Sequence, residues 1–110
     1  MTLELIPLFT CTVSLAAPIT VSSSLMIGEV TGAVIDGERV KGTMKGNAAA
    51  DWLRPSPDGY GTLDVKITYE THDGAIIHAT YSGRLQFDTM TVYAAPLFHT
   101  GDERYSWINR

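Results

Sequence analysis

The stretch from Leu63 to Leu85 constrains this chain more than any other, because it has the pattern of one long β-hairpin. Its first half, LDVKITYE, alternates apolar and polar side chains with the period of two that a strand shows when one face is dry and the other wet. Asp73-Gly74 follows, between two apolar-rich runs, and this pair suits the positive φ angles of a type I′ turn. The sequence therefore predicts an antiparallel hairpin with a two-residue loop.

A two-residue loop sets the register of this hairpin and pairs Tyr69 with His78. The apolar face of the first strand then shares its side with the polar residues of the second strand, namely His78, Thr80, Ser82 and Arg84. Polar groups on a buried face must be hydrogen-bonded or wet, which a solid sandwich core rarely permits. A barrel with a solvated or ligand-holding interior accommodates them, so we expect a small antiparallel β-barrel.

The rest of the chain supports an all-β fold built from hairpins with little helix. Strand-like patterns run through residues 1–15, 25–35, 39–45 and 91–95, and Asp36-Gly37 marks a second hairpin. Glycines interrupt several of these strands, as a small sheet needs in order to coil and close. No segment sustains a 3.6-residue period, and one short helical turn is expected at residues 102–107, with Tyr105 and Trp107 packing inward. We expect a single domain over residues 1–110.

Composition narrows the function classes. The 8 basic residues are scattered and are outnumbered by 12 acidic ones, so the chain lacks the basic patch that nucleic-acid binding requires. The lone Cys11 excludes an internal disulfide, fits a reducing compartment, and is expected to be a small buried hydrophobe. No apolar run approaches the length of a membrane span and no signal peptide is recognised, so we expect a cytoplasmic protein without a membrane partner.

The longest irregular stretch, residues 46–61, is predicted to be a loop because Pro55, Pro57 and Asp58-Gly59 favour turns. Long loops in compact domains are often functional. This one contains Asp51-Trp52, and a tryptophan on a loop either caps the core or lines a ligand pocket. Both interpretations of Trp52 stay open at this stage.

Motifs for metal, cofactor and nucleophile chemistry are not found in the sequence. The predicted register puts His72 and His78 on opposite faces about 10 Å apart, so no metal site is expected. The chain also lacks the glycine-rich phosphate loop, the dinucleotide fingerprint and the nucleophile elbow, and no cofactor is expected.

A set of polar and aromatic side chains could instead gather at one mouth of the barrel. In this hypothesis Asp51 or His78 acts as a base, and Arg84 or Tyr105 stabilises a developing oxyanion. The ligand-binding candidates are Trp52, Tyr69, Ser82, His99, Tyr105 and Trp107. Such a site suits isomerisation, cyclisation or lactone-type chemistry on a small apolar or aromatic carbonyl compound. The structural alternative is that His78 is only hydrogen-bonded to Tyr69 and that both tryptophans plug the barrel ends.

Three longer segments carry a resemblance to a known family: TGAVIDGERVKGTMKGNAAADW, LDVKITYETHDGAIIHATYSGR and PLFHTGDERYSWINR. Together they resemble a family of small bacterial and fungal proteins catalogued as domain of unknown function 3237. The resemblance implies a compact antiparallel β-barrel and self-association, and it implies no particular reaction. Members usually have a longer insertion before the Pro96 segment and one more strand after the equivalent of Asn109-Arg110. Either the barrel is closed differently in this chain, or a partner subunit covers the edge that such a strand would pair, and the second alternative favours a homodimer.

Three functional hypotheses therefore remain. The first is a cofactor-free enzyme that handles a small organic molecule in the barrel, and the second is a non-catalytic carrier with the same pocket. The third is a structural dimer whose barrel is filled by side chains and binds no ligand. A carboxylate or histidine near Arg84 or Tyr105 would favour the enzyme.

Overall fold

The computed structural model describes residues 2–110 and confirms the all-β prediction. The strands of this part of the chain are β1 (Thr10–Leu15), β2 (Ile19–Ser22), β3 (Leu25–Asp36), β4 (Lys41–Met44), β5 (Ala50–Pro55), β6 (Tyr60–Thr71), β7 (Ile76–Gln86) and β8 (Thr91–His99). A 3₁₀ segment, Glu103–Asn109, follows, with Asp102 as its N-cap. It forms where a short helical turn was predicted. No helix within residues 2–110 is long and apolar enough to cross a membrane.

All of these strands belong to one antiparallel sheet in the order β1-β3-β4-β6-β7-β8. β2 extends the β1 edge along β3, and β5 extends β4 in the space between β3 and β6. The sheet curls, and Phe9 packs edge-on against Phe98 with ring centroids 5.8 Å apart, which brings its two edges together at one end. Within residues 2–110 no strand pairing joins β1 to β8. We call this unpaired line between β1 and β8 the seam.

The β6–β7 hairpin has a different register from the one predicted, so the two-residue turn was wrong. The Thr71 N–H donates to the Ala75 carbonyl at 2.9 Å, and three residues, 72–74, form the loop. Gly74 has a φ of 90°, the left-handed conformation that closes a three-residue hairpin loop. Tyr69 therefore pairs with Ile77 and not with His78. Because side chains alternate along a strand, this shift by one residue moves the whole of β7 to the opposite face.

The predicted loop at residues 46–61 and the predicted first strand were both partly wrong. Ala50–Pro55 forms β5, because this segment fills the gap beside the short β4 and hydrogen-bonds to β3 and β6 together. The first strand begins only at Thr10, and Met1 lies outside the described residues. The predicted hairpin at Asp36-Gly37 is present, since Gly37 N–H donates to the Val40 carbonyl and Asp36 pairs with Lys41.

The core lies on the concave face of the curled sheet, which we call the inner face. Its most buried large side chains are Ile35, Val40, Ile67 and Ile77. Burial of each side chain of this size stabilises a fold by roughly 1.5–3 kcal/mol. Tyr105 and Ile108 of the 3₁₀ segment close one end of this core, and we call the segment Glu103–Asn109 the end cap. A smaller cluster of Leu63, Val65 and Leu85 lies towards the other end, with Leu53, Tyr81 and Phe87 packed against it.

Candidate functional site

One row of directly paired residues crosses the inner face over five strands, and we call it the central row. Its members, from β3 to β8, are Gly28, Asp51, Val65, Tyr81 and Pro96. Directly opposed residues of antiparallel strands point to the same face, so Asp51 and Tyr81 lie on one surface on either side of Val65. Val65 is buried and Asp51 and Tyr81 are half-buried, which leaves both polar side chains accessible from the concave side.

Asp51 is a carboxyl group in a partly dry environment. Burial raises its pKa, and the nearby Asp64 carboxylate raises it further. The Asp64 N–H donates a hydrogen bond to Asp51 Oδ1 at 3.2 Å, which lowers the pKa in part and orients the carboxyl group. The net effect is a raised pKa. An acid whose pKa moves towards neutrality can exchange a proton with a bound molecule.

Two tyrosines supply hydroxyl groups to the same face. Tyr69 is buried, and its hydroxyl lies 3.7 Å from Cys11 Sγ on β1. Burial is the main cause of the raised pKa of both Tyr69 and Tyr81, and the Asp51 charge contributes to that of Tyr81. Both phenols therefore stay protonated at neutral pH and are able to donate hydrogen bonds.

Of the predicted catalytic residues, only Asp51 lies on the inner face. The corrected register of β7 places His78, Ser82 and Arg84 on the outer face, so the prediction that they point inward was wrong. His78 pairs with Thr68, and its Nδ1 atom lies 2.9 Å from Thr68 Oγ1. The structure does not bring His78 or Arg84 together with Asp51.

The predicted ligand-binding residues are spread over three regions, with Tyr69 alone on the inner face near the central row. Trp52 is one residue from Asp51 on β5, so it points outward, and its side chain is exposed. His99 pairs with His78 on the outer face. Tyr105 and Trp107 belong to the end cap, where Arg39 stacks on the Trp107 ring at 3.7 Å. The predicted gathering of these side chains at one mouth was therefore wrong.

Sequence reasoning missed Tyr81 as a candidate for the site, and it predicted the wrong burial for Cys11. A three-residue loop after Thr71 would have placed Tyr81 on the face of Val65, so the missing signal was the loop length. Cys11 was assigned to the apolar face of its strand, and its pairing with Ile35 agrees with that assignment. It is exposed and not buried, because β1 borders the unpaired seam.

Two surface hollows are present on the molecule, and the second reaches Pro96 of the central row. One is on the outside of β3, β4 and β6, where Asp36, Glu70 and His72 line it. The other lies beside the end cap, between Leu8, Pro96 and Trp107. Neither contains Asp51 or Tyr81. Among residues 2–110, no group of three His, Cys, Asp or Glu side chains is placed to hold a metal ion.

Comparison with known proteins connects this geometry to a family. The sequence profile described as "Protein of unknown function (DUF3237)" matches residues 3–95. The "Hydroalkoxylation enzyme phnH" of Penicillium herquei is 34% identical over 80 residues, which is 73% of this chain and 48% of that protein. The chain thus spans about half the length of this curated relative.

Solved structures share the fold. A β-barrel-like protein of Acinetobacter baumannii superimposes with a TM-score of 0.75 at 24% identity, covering 99% of this chain and 86% of that one. An enzyme of Penicillium herquei has a TM-score of 0.75 at 25% identity, covering 99% and 83%. A protein of Clostridium acetobutylicum has a TM-score of 0.81 at 18% identity, covering 93% and 82%. The A. baumannii protein confirms that the sheet is similar to a β-barrel.

Proposed function

The chain belongs to the DUF3237 family, and from that premise we propose that it is a cofactor-free enzyme that adds the O–H bond of a substrate hydroxyl across a carbon–carbon double bond of a small molecule. The observation that carries the proposal is Asp51, a carboxyl group with a raised pKa on an otherwise apolar concave surface. The relationship to a hydroalkoxylation enzyme supports the same chemistry, which is the addition of an alcohol O–H to an alkene.

The proposed reaction needs one proton donor that is regenerated. The protonated Asp51 carboxyl gives its proton to one alkene carbon, which forms the new C–H bond. The substrate hydroxyl oxygen bonds to the other alkene carbon, and its proton returns to the Asp51 carboxylate. Atoms and charge balance without an oxidant or a reductant. The raised pKa of Asp51 favours this role, since it increases the fraction of the acid that holds a proton near neutral pH.

Tyr81 is the residue we propose for positioning the substrate. It lies on the central row beside Val65 and keeps its proton because burial raises its pKa. Its hydroxyl is able to hydrogen-bond the oxygen that adds to the alkene and to hold it over the double bond. A reacting pair held in this way behaves as an intramolecular one, which removes part of the entropic barrier.

The test uses two kinds of phenol. Those with an ortho-allyl group cyclise to dihydrobenzofurans when the phenol oxygen adds to the alkene, and those with an ortho-prenyl group cyclise to chromans. Product has the same mass as substrate and is separated by chromatography. In D₂O it gains one carbon-bound deuterium, which reports the acid step. We expect Asp51→Asn to lower the rate about 100-fold or more. Glu29→Gln is the control, because Glu29 neighbours Gly28 of the central row but is exposed on the outer face.

Binding of these phenols without conversion would contradict the enzyme and favour the carrier. Conversion at an unchanged rate in Asp51→Asn would contradict the assigned acid. Failure of every phenol both to bind and to react would leave the third hypothesis, a structural module without a ligand.

We further propose that a second copy of the chain covers the seam, giving a homodimer. The edge strands β1, β2 and β8 carry no Asp, Glu, Lys or Arg, although edge strands that stay unpaired are usually protected by charge. Leu15, Tyr93 and Leu97 on these strands are largely exposed. Light scattering after size exclusion should give twice the mass of the chain for the parent protein. The Leu97→Lys variant should give the mass of a single chain. A monomeric parent protein at all concentrations would contradict the proposal.

A further inference from the structure

The basic residues of this chain are distributed very unevenly between the two faces of the sheet. The sequence contains 8 Lys and Arg residues, and residues 2–110 include all of them. Three lysines pair with acids on the outer side: Lys41 with Asp36, Lys45 with Glu70, and Lys66 with Asp64. None of these three pairs reaches the central row.

The arginines are placed in the same way. Arg104 is paired with Asp102 at 2.8 Å at the end cap, and Arg39 stacks on Trp107. Arg54 on β5 and Arg84 on β7 lie directly opposite Thr62 of β6 in the sheet, and all three side chains are on the outer face. Arg110 follows the 3₁₀ segment. Within residues 2–110, the strands therefore place no basic side chain on the inner face.

Among the described strands, Asp51 is the one charged residue whose side chain lies on the inner face. Around it the surface is apolar, formed by Leu53, Leu63 and Val65, and Tyr81 lies on the same row beyond Val65. A bound anion would lose water here without gaining a cation, and it would be repelled by the Asp51 carboxylate. An uncharged ring compound with one hydroxyl group avoids both the loss of hydration of a charge and the repulsion by Asp51. Its ring covers apolar surface, and its hydroxyl reaches Tyr81 or Asp51.

We propose that the inner face selects uncharged, hydroxyl-bearing apolar compounds and rejects carboxylates and phosphates of the same size, with Asp51 as the residue that sets this preference. This inference rests on the site of the proposed function and adds the substrate class. It excludes acyl-phosphate, coenzyme A-linked and free-acid substrates from the reaction.

The experiment compares 2-naphthol with 2-naphthoate, two probes of equal ring size that differ in charge at neutral pH. Affinity is measured by calorimetry on the full chain. Location is measured by the rate at which a thiol reagent labels Cys11, the single cysteine of the sequence, which is exposed on the inner face. We expect 2-naphthol to bind about tenfold or more tightly than 2-naphthoate and to slow the labelling of Cys11.

Asp51→Asn tests the cause of the preference. Removing the charge should raise the affinity for 2-naphthoate, so the ratio of the 2-naphthol affinity to the 2-naphthoate affinity falls. Glu29→Gln removes one negative charge from the outer face of β3 and should leave the ratio as it was. Thermal unfolding of each variant shows whether it has kept its fold.

Equal affinity for both probes, or binding of 2-naphthol that does not protect Cys11, would overturn the inference. Its failure is distinguishable from failure of the proposed function. Selective binding of 2-naphthol with no conversion of any allyl phenol would contradict the enzyme and keep the charge preference. Conversion of the allyl phenols that depends on Asp51, with equal affinity for the two probes, would support the enzyme and contradict the charge preference.

Discussion

The Tyr105 hydroxyl donates a hydrogen bond to Asp73 Oδ1 at 2.9 Å and thereby ties the β6–β7 loop to the 3₁₀ segment. The Thr71 hydroxyl donates to the same oxygen at 2.6 Å, and Arg104 Nη1 donates to the Asp73 carbonyl at 2.9 Å. The three-residue loop that sets the register of β7 is therefore held by Thr71 within the hairpin and by Arg104 and Tyr105 from outside it.

Removing this hydroxyl should weaken the end cap. We expect Tyr105→Phe to lower the melting temperature by a few degrees, about what the loss of one hydrogen bond causes in a chain of this length. Tyr93→Phe is the matched control, because Tyr93 is 77% exposed and lies on the outer face of β8. Equal melting temperatures for the two variants would show that the Tyr105–Asp73 contact does not stabilise the fold.

Asp73 should make stability depend on pH at the acid end. Hydrogen bonds from Thr71 and Tyr105, with the Arg104 charge, hold its pKa below the ordinary value of 3.8. The unfolded chain then binds the proton more tightly, so this contribution is present above that value and is lost as pH falls through the lowered pKa. We expect Asp73→Asn to flatten the rise of stability with pH in the range below about pH 4, measured by urea unfolding. An unchanged slope would contradict this.

Asp51 should make stability depend on pH in the direction opposite to that of Asp73. Its pKa is raised by burial, so the folded chain binds the proton more tightly, and stability falls as pH rises from 3.8 through the raised value. At neutral pH we expect Asp51→Asn to be slightly more stable than the parent, by less than about 1 kcal/mol because water screens the half-buried group. The amide oxygen is still able to accept the Asp64 N–H. Clear destabilisation at neutral pH would show that the charge supports the fold.

Gly83 should be intolerant of a side chain, although it lies within a strand. A Cβ at this position would collide with the carbonyl oxygen of Tyr93 on β8, which is backbone and cannot move alone. We expect Gly83→Ala to cost about 1–3 kcal/mol in urea unfolding. Gly32→Ala is the control, since a Cβ there meets nothing within 4 Å. Similar stability of the two variants would contradict the close approach of β7 and β8.

Substitutions on the two faces of β7 should differ in their effect on the reaction rate. Tyr81 lies on the central row and His78 on the outer face. In the phenol cyclisation assay we expect Tyr81→Phe to lower the rate about tenfold, the loss of one good hydrogen bond in the transition state. His78→Gln should leave the rate unchanged. A large loss in His78→Gln with none in Tyr81→Phe would instead support the register of a two-residue loop, which places His78 on the inner face.

The alternation of apolar and polar residues determined much of this protein without the structure. It identified the β6–β7 hairpin, and it put Val65 and Tyr69 on one face, because the period of two is a local property of a strand. The family resemblance and the all-β class also followed from sequence alone. Asp51 was identified as a catalytic candidate, in the role of a base, although its strand was predicted to be a loop.

The tertiary structure decided which side chains share a face with Asp51. Asp73-Gly74 fits both a two-residue and a three-residue loop, and contacts from Thr71, Arg104 and Tyr105 accompany the longer one. That single residue of loop length exchanges His78 for Tyr81 on the inner face. The strand at Asp51 forms because β3 and β6 leave a gap beside β4, which is a property of the assembled sheet and not of any local pattern.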